Sequence, residues 1–450
     1  MLKKILIGLI AVVAICISGL AILIWRPAIS PVAPQSHLSF APELVARGEV
    51  LAGAGNCASC HTVKGGRPFA GGYPIKTDFG TIYSTNITAD AKTGIGAWSE
   101  EAFRRAMHDG VARDGSHLYP VFPYDHFTKI SDTDVSALYA YLMTRAAVDA
   151  PTQPNELTFP LNIRALQAVW KLLFFRSGRF EYQSTHTAEW NRGAYLAEGV
   201  AHCGACHTPR NPLGAEERGQ AYSGGNVDGE LAPALTRANS SPVPWNQDEL
   251  FAYLRNGGSQ FHGSAGGQMT LVIRDGLAKL PDSDIQALAV YFAEIGGTTS
   301  LAGESGAAIE RAQSDDHTDL GPRGDESNRF YAAIRRVLVS DRLDLEQNHD
   351  ASARLYMSAC ASCHFNNGLL PNLHRPNLSL ISATNSPDPT NLIKVILFGR
   401  KAEMPAFGQG FTDANIAQIA AYLRATRTVS APWVDLEQKV SAIRAAHQER

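Results

Sequence analysis

Six of the seven cysteines in this 450-residue chain fall in three copies of one motif: Cys57-Ala58-Ser59-Cys60-His61, Cys203-Gly204-Ala205-Cys206-His207 and Cys360-Ala361-Ser362-Cys363-His364. Two thiols one helical turn apart can add across the two vinyl groups of a single porphyrin. The imidazole beside the second thiol can then become the fifth ligand of its iron, which is the pattern of c-type haem attachment. Structural zinc also uses Cys-x-x-Cys, but it needs a second ligand pair close by, and these motifs are far apart in the chain. A redox dithiol would be expected in a thioredoxin-type βαβ pattern, and none is readable here. The motifs therefore predict three covalently bound haem c groups.

A sulfur ligand opposite each imidazole would raise the haem potential and fill the iron, suiting it to electron transfer. Met404, in Glu403-Met404-Pro405, and Met269, in Gly266-Gly267-Gln268-Met269, stand on loops before apolar helical stretches and are the expected sixth ligands of the third and second haems. Twelve positions separate Gly257 from Met269, and the same step from Gly110 lands on Phe122, which cannot ligate iron. For the first haem the sequence leaves His126, on the same loop, ahead of His117, Met143 or an open position. Met107 and Met357 lie within helical stretches and read as packing residues.

The elements that must position these residues repeat with the motifs. Ala46-Arg47-Gly48 and Asn191-Arg192-Gly193 open similar amphipathic stretches before the first two motifs, and Ala353-Arg354-Leu355-Tyr356-Met357 precedes the third. A second helix follows each motif, capped by Ser99 and Asn246 in the first two units and opened by Pro389-Thr390-Asn391 in the third. Gly110, Gly257 and Gly399 stop these helices. Closing helices run over Asp132–Met143, Asp282–Phe292 and Asp413–Leu423, with Ser131 and Thr412 as caps. Their Leu and Tyr positions recur as a core face.

The formal net charge of −3 shows no basic excess, so nucleic acid is not an expected partner. Ile5–Trp25 is an apolar run long enough to cross a bilayer, preceded by Lys3 and Lys4, which would keep the amino terminus cytoplasmic. Its length, and the lack of a small-x-small site, favour an uncleaved anchor over a signal peptide. Cys16 inside it reads as a passive packing residue. An exported chain with its remaining cysteines all in haem motifs suits the bacterial periplasmic side of the inner membrane.

The order of helix, Cys-x-x-Cys-His, helix, Met loop and closing helix resembles a class I cytochrome c domain repeated three times. The expected fold is all-α, with three such domains in tandem after one N-terminal transmembrane helix. The segments are 1–30 anchor, 37–148 domain 1, 149–180 connecting amphipathic segment, 181–297 domain 2, 298–344 polar linker, 345–427 domain 3 and 428–450 C-terminal tail. The connecting segment holds Trp170-Lys171-Leu172-Leu173-Phe174-Phe175-Arg176, expected to pack between the first two domains, with a membrane-surface position as the second reading.

Nearly the whole chain resembles the membrane-bound tri-haem cytochrome c subunits of bacterial periplasmic dehydrogenases. Besides the haem motifs, the likeness rests on Gly80-Thr81-Ile82-Tyr83-Ser84-Thr85-Asn86-Ile87-Thr88, Gly94-Ile95-Gly96, Arg113-Asp114-Gly115 with Leu118-Tyr119-Pro120, and Phe159-Pro160-Leu161-Asn162-Ile163-Arg164. The resemblance implies a catalytic partner that is a quinoprotein, a flavoprotein or a molybdenum hydroxylase, and passage of electrons to ubiquinone or a terminal oxidase. Such subunits often have Met where Phe122 stands. No quinone-cofactor, flavin, molybdenum or nucleotide motif is evident in this chain, so substrate oxidation is expected in another one. The alternatives are an oxidase-associated multihaem subunit and an independent haem enzyme using an open first haem.

Overall fold

The computed structural model describes residues 24–33, 39–227, 229–259, 261–298, 376–400 and 403–448, with Gly19 and isolated positions within 306–310 and 352–364. By its contacts the chain falls into two compact units, one of residues 1–205, 210–217 and 274–284, the other of residues 206–209, 218–273 and 285–450.

In the first unit, α1 (Pro42–Ala54) opens on Pro at its first turn, where the missing N–H costs no intrahelical bond. After Asn56, in the left-handed region at φ 50°, α2 (Cys57–Cys60) makes a single turn. An antiparallel hairpin of β1 (Pro74–Thr77) and β2 (Gly80–Tyr83) follows. Next comes α3 (Glu100–Asp109), whose cap Ser99 accepts from the Ala102 N–H and whose stop, Gly110, has φ 59°. A short turn, α4 (Tyr124–Phe127), leads to α5 (Asp132–Met143), capped by Ser131 accepting from the Asp134 N–H. β3 (Glu156–Leu157) pairs with β2. α6 (Leu166–Phe174) and α7 (Ala188–Tyr195) follow, α7 running on into a π-helical turn, Leu196–Val200.

The main packing of this unit is α1 across α5. Leu51, Ala52 and Ala54 of α1 and Val135, Ala137, Leu138 and Ala140 of α5 are all buried. The helices approach so closely because Gly48 has no side chain to hold them apart.

α8 (Gly204–His207) carries the second motif. The second unit then contains the hairpin of β4 (Gly225–Val227) and β5 (Glu230–Ala232), and α9 (Gln247–Asn256), capped by Asn246 and ended by Gly257 at φ 81°. The small ladder of β6 (Gly258–Ser259) and β7 (Gly263–Ser264) precedes α10 (Gly267–Leu271), and α11 (Asp282–Ile295) closes the domain. Then follow α12 (Ala361–His364), α13 (Ser382–Asn385), α14 (Thr390–Phe398), α15 (Asp413–Arg427) and α16 (Leu436–Gln448). Thr412 and Asn415 form a reciprocal capping box on α15. Ile393, Ile416, Ile419, Ala420 and Val440 are fully buried in one core.

The chain is mostly helical with little sheet, as expected: three small antiparallel sheets are present among the described residues. Two of them stiffen the loops that follow the first two haem motifs. α11 and α15 run further than expected, to Ile295 and Arg427, since no breaker precedes Gly296 or Thr428. The C-terminal tail also carries structure, with α16 packing Val440 into the third core.

The connecting segment packs along one face, as expected: Trp170 and Phe175 lie edge-on to Tyr124 with ring centroids 6.4 and 5.2 Å away, and Trp170 Nε1 donates to the Leu213 carbonyl at 2.9 Å. α6 buries Gln167 and Ala168, while Leu172 and Leu173 are 57% and 55% exposed. Apart from Gly19, Ile24 and Trp25, the apolar run 5–25 lies outside the described residues. So do nearly all of the 298–344 linker and Ala353, Arg354 and Met357. Among the described residues, no helix is long and apolar enough to cross a membrane.

Candidate haem sites

The single turn of α2 holds Cys57 and Cys60 at its two ends, and both thiols are free of disulfide bonds, as are those of the other two motifs. Burial and the neighbouring Cys60 push the Cys57 thiol up to about 12, and burial and Cys363 push Cys360 up to about 11. Reactive dithiols have depressed values, and Cys57 and Cys360 are shifted the opposite way.

Each motif's imidazole is fixed in one orientation. His61 Nδ1 lies 2.7 Å from the Thr85 carbonyl, His207 Nδ1 2.7 Å from the Pro233 carbonyl, and His364 Nδ1 3.4 Å from the Pro376 carbonyl. A carbonyl oxygen only accepts, so Nδ1–H is the donor and Nε2 carries the lone pair. Burial lowers the pKa of both His61 and His207, against the opposing pull of their carbonyl partners, and so favours the neutral ring. A neutral imidazole with its second nitrogen anchored is the form that ligates a metal.

The loops that bring up these carbonyls repeat atom for atom in the first two domains. The Gly71 N–H donates to the His61 carbonyl and the Gly224 N–H to that of His207, each at 2.8 Å. The Phe69 and Tyr222 N–H groups donate to Thr62 Oγ1 and Thr208 Oγ1, each at 3.1 Å. Phe69 and Tyr222 also share the left-handed conformation, at φ 64° and 60°. Sequence reasoning missed Thr85, Pro233 and Pro376 because they act through backbone oxygen. The repeated His-Thr pair was the available signal.

Met269 sits half-buried on α10, and Met404 half-buried on a tight turn. The backbone of Met404 pairs with Arg400 in both directions, at 2.8 and 2.9 Å. The Arg400 guanidinium donates to the Ser264 carbonyl at 2.8 Å and to the Ala265 carbonyl. Those carbonyls belong to the chain entering the Met269 segment, so one arginine ties the two methionine loops together. The Asn391 side chain adds a two-way bond to the Leu231 backbone, at 3.0 and 2.8 Å.

The first domain differs. Phe122 packs against Phe127 with ring centroids 5.2 Å apart. Both nitrogens of His126 are engaged, Nδ1 with the Glu198 carbonyl at 2.9 Å and Nε2 with Glu216 Oε1 at 2.8 Å. In this arrangement the ring offers no nitrogen to iron. It belongs instead to a group with Asp125 and Glu216 whose ligand-type atoms lie within 4.8 Å of one another, with Arg210 3.7 Å from Glu216. Burial opposes a charge on His126, but the Glu216 bond and charge outweigh it and raise the pKa. Burial likewise opposes a charge on Glu216, but its partners lower its value. His117 is also fully engaged, by the Ile24 carbonyl at 2.8 Å and Lys171 Nζ at 3.2 Å. Met143 lies half-buried at the end of α5, and Met107 is buried in α3.

Paired thiols on helical turns, each followed by an imidazole whose Nδ1 meets a backbone carbonyl, fit a covalently attached porphyrin, and this arrangement defines a c-type cytochrome. The family "Cytochrome c" matches residues 45–146, and "Cytochrome C oxidase, cbb3-type, subunit III" matches 347–423. The chain is 37% identical to the fructose dehydrogenase cytochrome subunit of Gluconobacter japonicus, over 87% of this chain and 82% of that one. It is 34% identical to the gluconate 2-dehydrogenase cytochrome c subunit of Pantoea cypripedii, over 90% and 91%. It is 42% identical to a nicotinate dehydrogenase subunit of Pseudomonas putida, matching 94% of this chain but spanning only 33% of that longer protein. The chain belongs to the family of cytochrome c subunits of dehydrogenases.

Proposed function

We propose that this chain is a tri-haem electron relay that takes electrons from a periplasmic dehydrogenase catalytic subunit and passes them to ubiquinone or a terminal oxidase. The observation that carries the reading is the recurrence of an imidazole Nδ1 facing a backbone carbonyl, at 2.7 Å for His61 and His207 and at 3.4 Å for His364. When bound, each haem supplies a one-electron couple whose potential the axial ligands and burial set. Cys57 and Cys60, Cys203 and Cys206, and Cys360 and Cys363 hold the three groups, and Met269 and Met404 complete the second and third. With Phe122 apolar and His126 and His117 engaged, the first haem would be the distinct one, left with Met143 or an open position as its remaining choice.

The catalytic partner is a quinoprotein, flavoprotein or molybdenum hydroxylase, in keeping with relatives named for fructose, gluconate and nicotinate dehydrogenases. The segment Ile5–Trp25 anchors the chain in the bacterial inner membrane, leaving the haem domains on the periplasmic side. The match of residues 347–423 to an oxidase subunit supports a second reading, an oxidase-associated cytochrome, though it covers the third domain alone.

Purification of the native membrane complex tests both readings. Haem quantitation should give three haems per chain, with a dehydrogenase as the largest co-purifying subunit. Two haems, or an oxidase core in its place, would overturn the proposal.

A further inference from the structure

Four of the large apolar side chains left in the open belong to one short stretch of the first unit: Ile163, Leu166, Leu172 and Leu173. They lie on α6 or its lead-in, and the helix is flanked by the exposed Arg164 and Arg176. An isolated exposed leucine needs no explanation, but four on one short element, rimmed by cations, form a patch.

His117 joins this patch to the exit of the apolar run. Its Nε2–H donates to the Ile24 carbonyl at 2.8 Å, its Nδ1 accepts from Lys171 Nζ of α6 at 3.2 Å, and its carbonyl accepts from Arg164 Nε at 2.8 Å. Residues 26–32 are held on the same domain by further bonds: Arg105 to the Pro27 carbonyl, the Ile29 N–H to the Arg113 carbonyl, and the Val32 N–H to the Ala97 carbonyl. Trp25 is 69% exposed where the run ends. The end of the apolar run and α6 therefore belong to one compact unit, and His117 bonds to both.

We propose that α6 is a second membrane contact, lying in the periplasmic leaflet interface with Leu172 and Leu173 among the acyl chains and Arg164 and Arg176 at anionic headgroups. This rests on the reading of residues 5–25 as an anchor, since that segment brings the bilayer surface to Ile24. An amphipathic helix with cations on its flanks binds such an interface through buried apolar area and attraction to anionic lipid. Two contacts on one compact unit would also fix how the first haem domain is turned towards the membrane, which a single helix with a free swivel would not do.

The full-length holoprotein, reconstituted in vesicles of phosphatidylcholine and phosphatidylglycerol carrying a phospholipid with a diazirine in its acyl chain, provides the test. Photolysis and peptide mapping should show lipid adducts on residues 172–176 several-fold above those on the peptide bearing the exposed Val429. The double substitution Leu172→Glu, Leu173→Glu should abolish the excess while leaving the haem spectrum and the adducts on residues 5–25 unchanged. Adducts on 5–25 without adducts on 172–176 would overturn the proposal and spare the anchor. If 172–176 were instead shielded from both the lipid probe and a water-soluble carbene, the face would be covered by protein, and the proposal would fail. A chain that does not float with the vesicles would overturn both readings.

Discussion

Gly48 and Ala137 touch through their backbones: a Cβ on Gly48 would fall 2.0 Å from the Ala137 carbonyl oxygen. This contact sets the crossing of α1 on α5, and with it the placement of the turn that bears Cys57 and Cys60. Replacing Gly48 with Ala adds helix propensity of about 1 kcal/mol, yet the clash is with backbone and cannot be relieved by a rotamer. The variant should be destabilised by about 1–3 kcal/mol, read as a lower denaturant midpoint for the first domain.

Arg192 and Asp284 form a two-pronged pair at 2.8 and 2.7 Å, tying α7 to the first turn of α11, as Arg47 and Asp134 tie α1 to α5 at 2.5 Å. Arg192 is partly exposed, so solvent screens the pair. Asp284→Ala should cost about 1–2 kcal/mol after that discount. Arg192→Lys should lose a smaller part of this, since an ammonium cannot reproduce the fork. Chemical denaturation of the two variants side by side measures both.

The His126–Glu216 pair makes the stability of the first unit pH-dependent. The raised value of His126 means its contribution is fully present below the unfolded value of about 6.5 and is lost as pH rises through the folded one. The lowered value of Glu216 means its contribution is present above about 4.3 and is lost as pH falls through the folded value. Stability from the pair should therefore be greatest between about pH 4.3 and 6.5. Denaturation midpoints of wild type and Glu216→Gln should differ most in that window; a constant difference at all pH values would contradict the pairing.

Arg400 pins both methionine loops, so Arg400→Ala should loosen two ligand positions at once. On the proposed assignment of Met269 and Met404, redox titration should show two of the three haems shifting to lower potential, with loss of the methionine–iron absorption band. Arg400→Lys keeps the charge without the paired carbonyl bonds and should fall between the two. Met404→Ala should move one haem only.

Much of this was legible in the chain. The thiol and imidazole spacing is a local pattern, so the haem motifs, the Ser99, Ser131, Asn246 and Thr412 caps and the Gly110 and Gly257 stops could be read directly and recur in the structure. The repeated Arg-Gly pairs were visible as well, but their partners Asp134 and Asp284 lie some ninety residues away, and no local pattern links them. His126 stood out because of its loop, and what decided its role was Glu216, contributed by a different loop.

Sequence alone determined which residues can hold a cofactor, because covalent attachment depends on neighbours three or four positions apart. Tertiary structure decided which nitrogen of each imidazole meets the backbone, since carbonyls of Thr85, Pro233 and Pro376 make that choice and carbonyls have no side-chain signature. It also decided that Leu172 and Leu173 face outward. Hydrophobic periodicity shows that a helix has an apolar face, but what that face meets depends on how the rest of the chain packs.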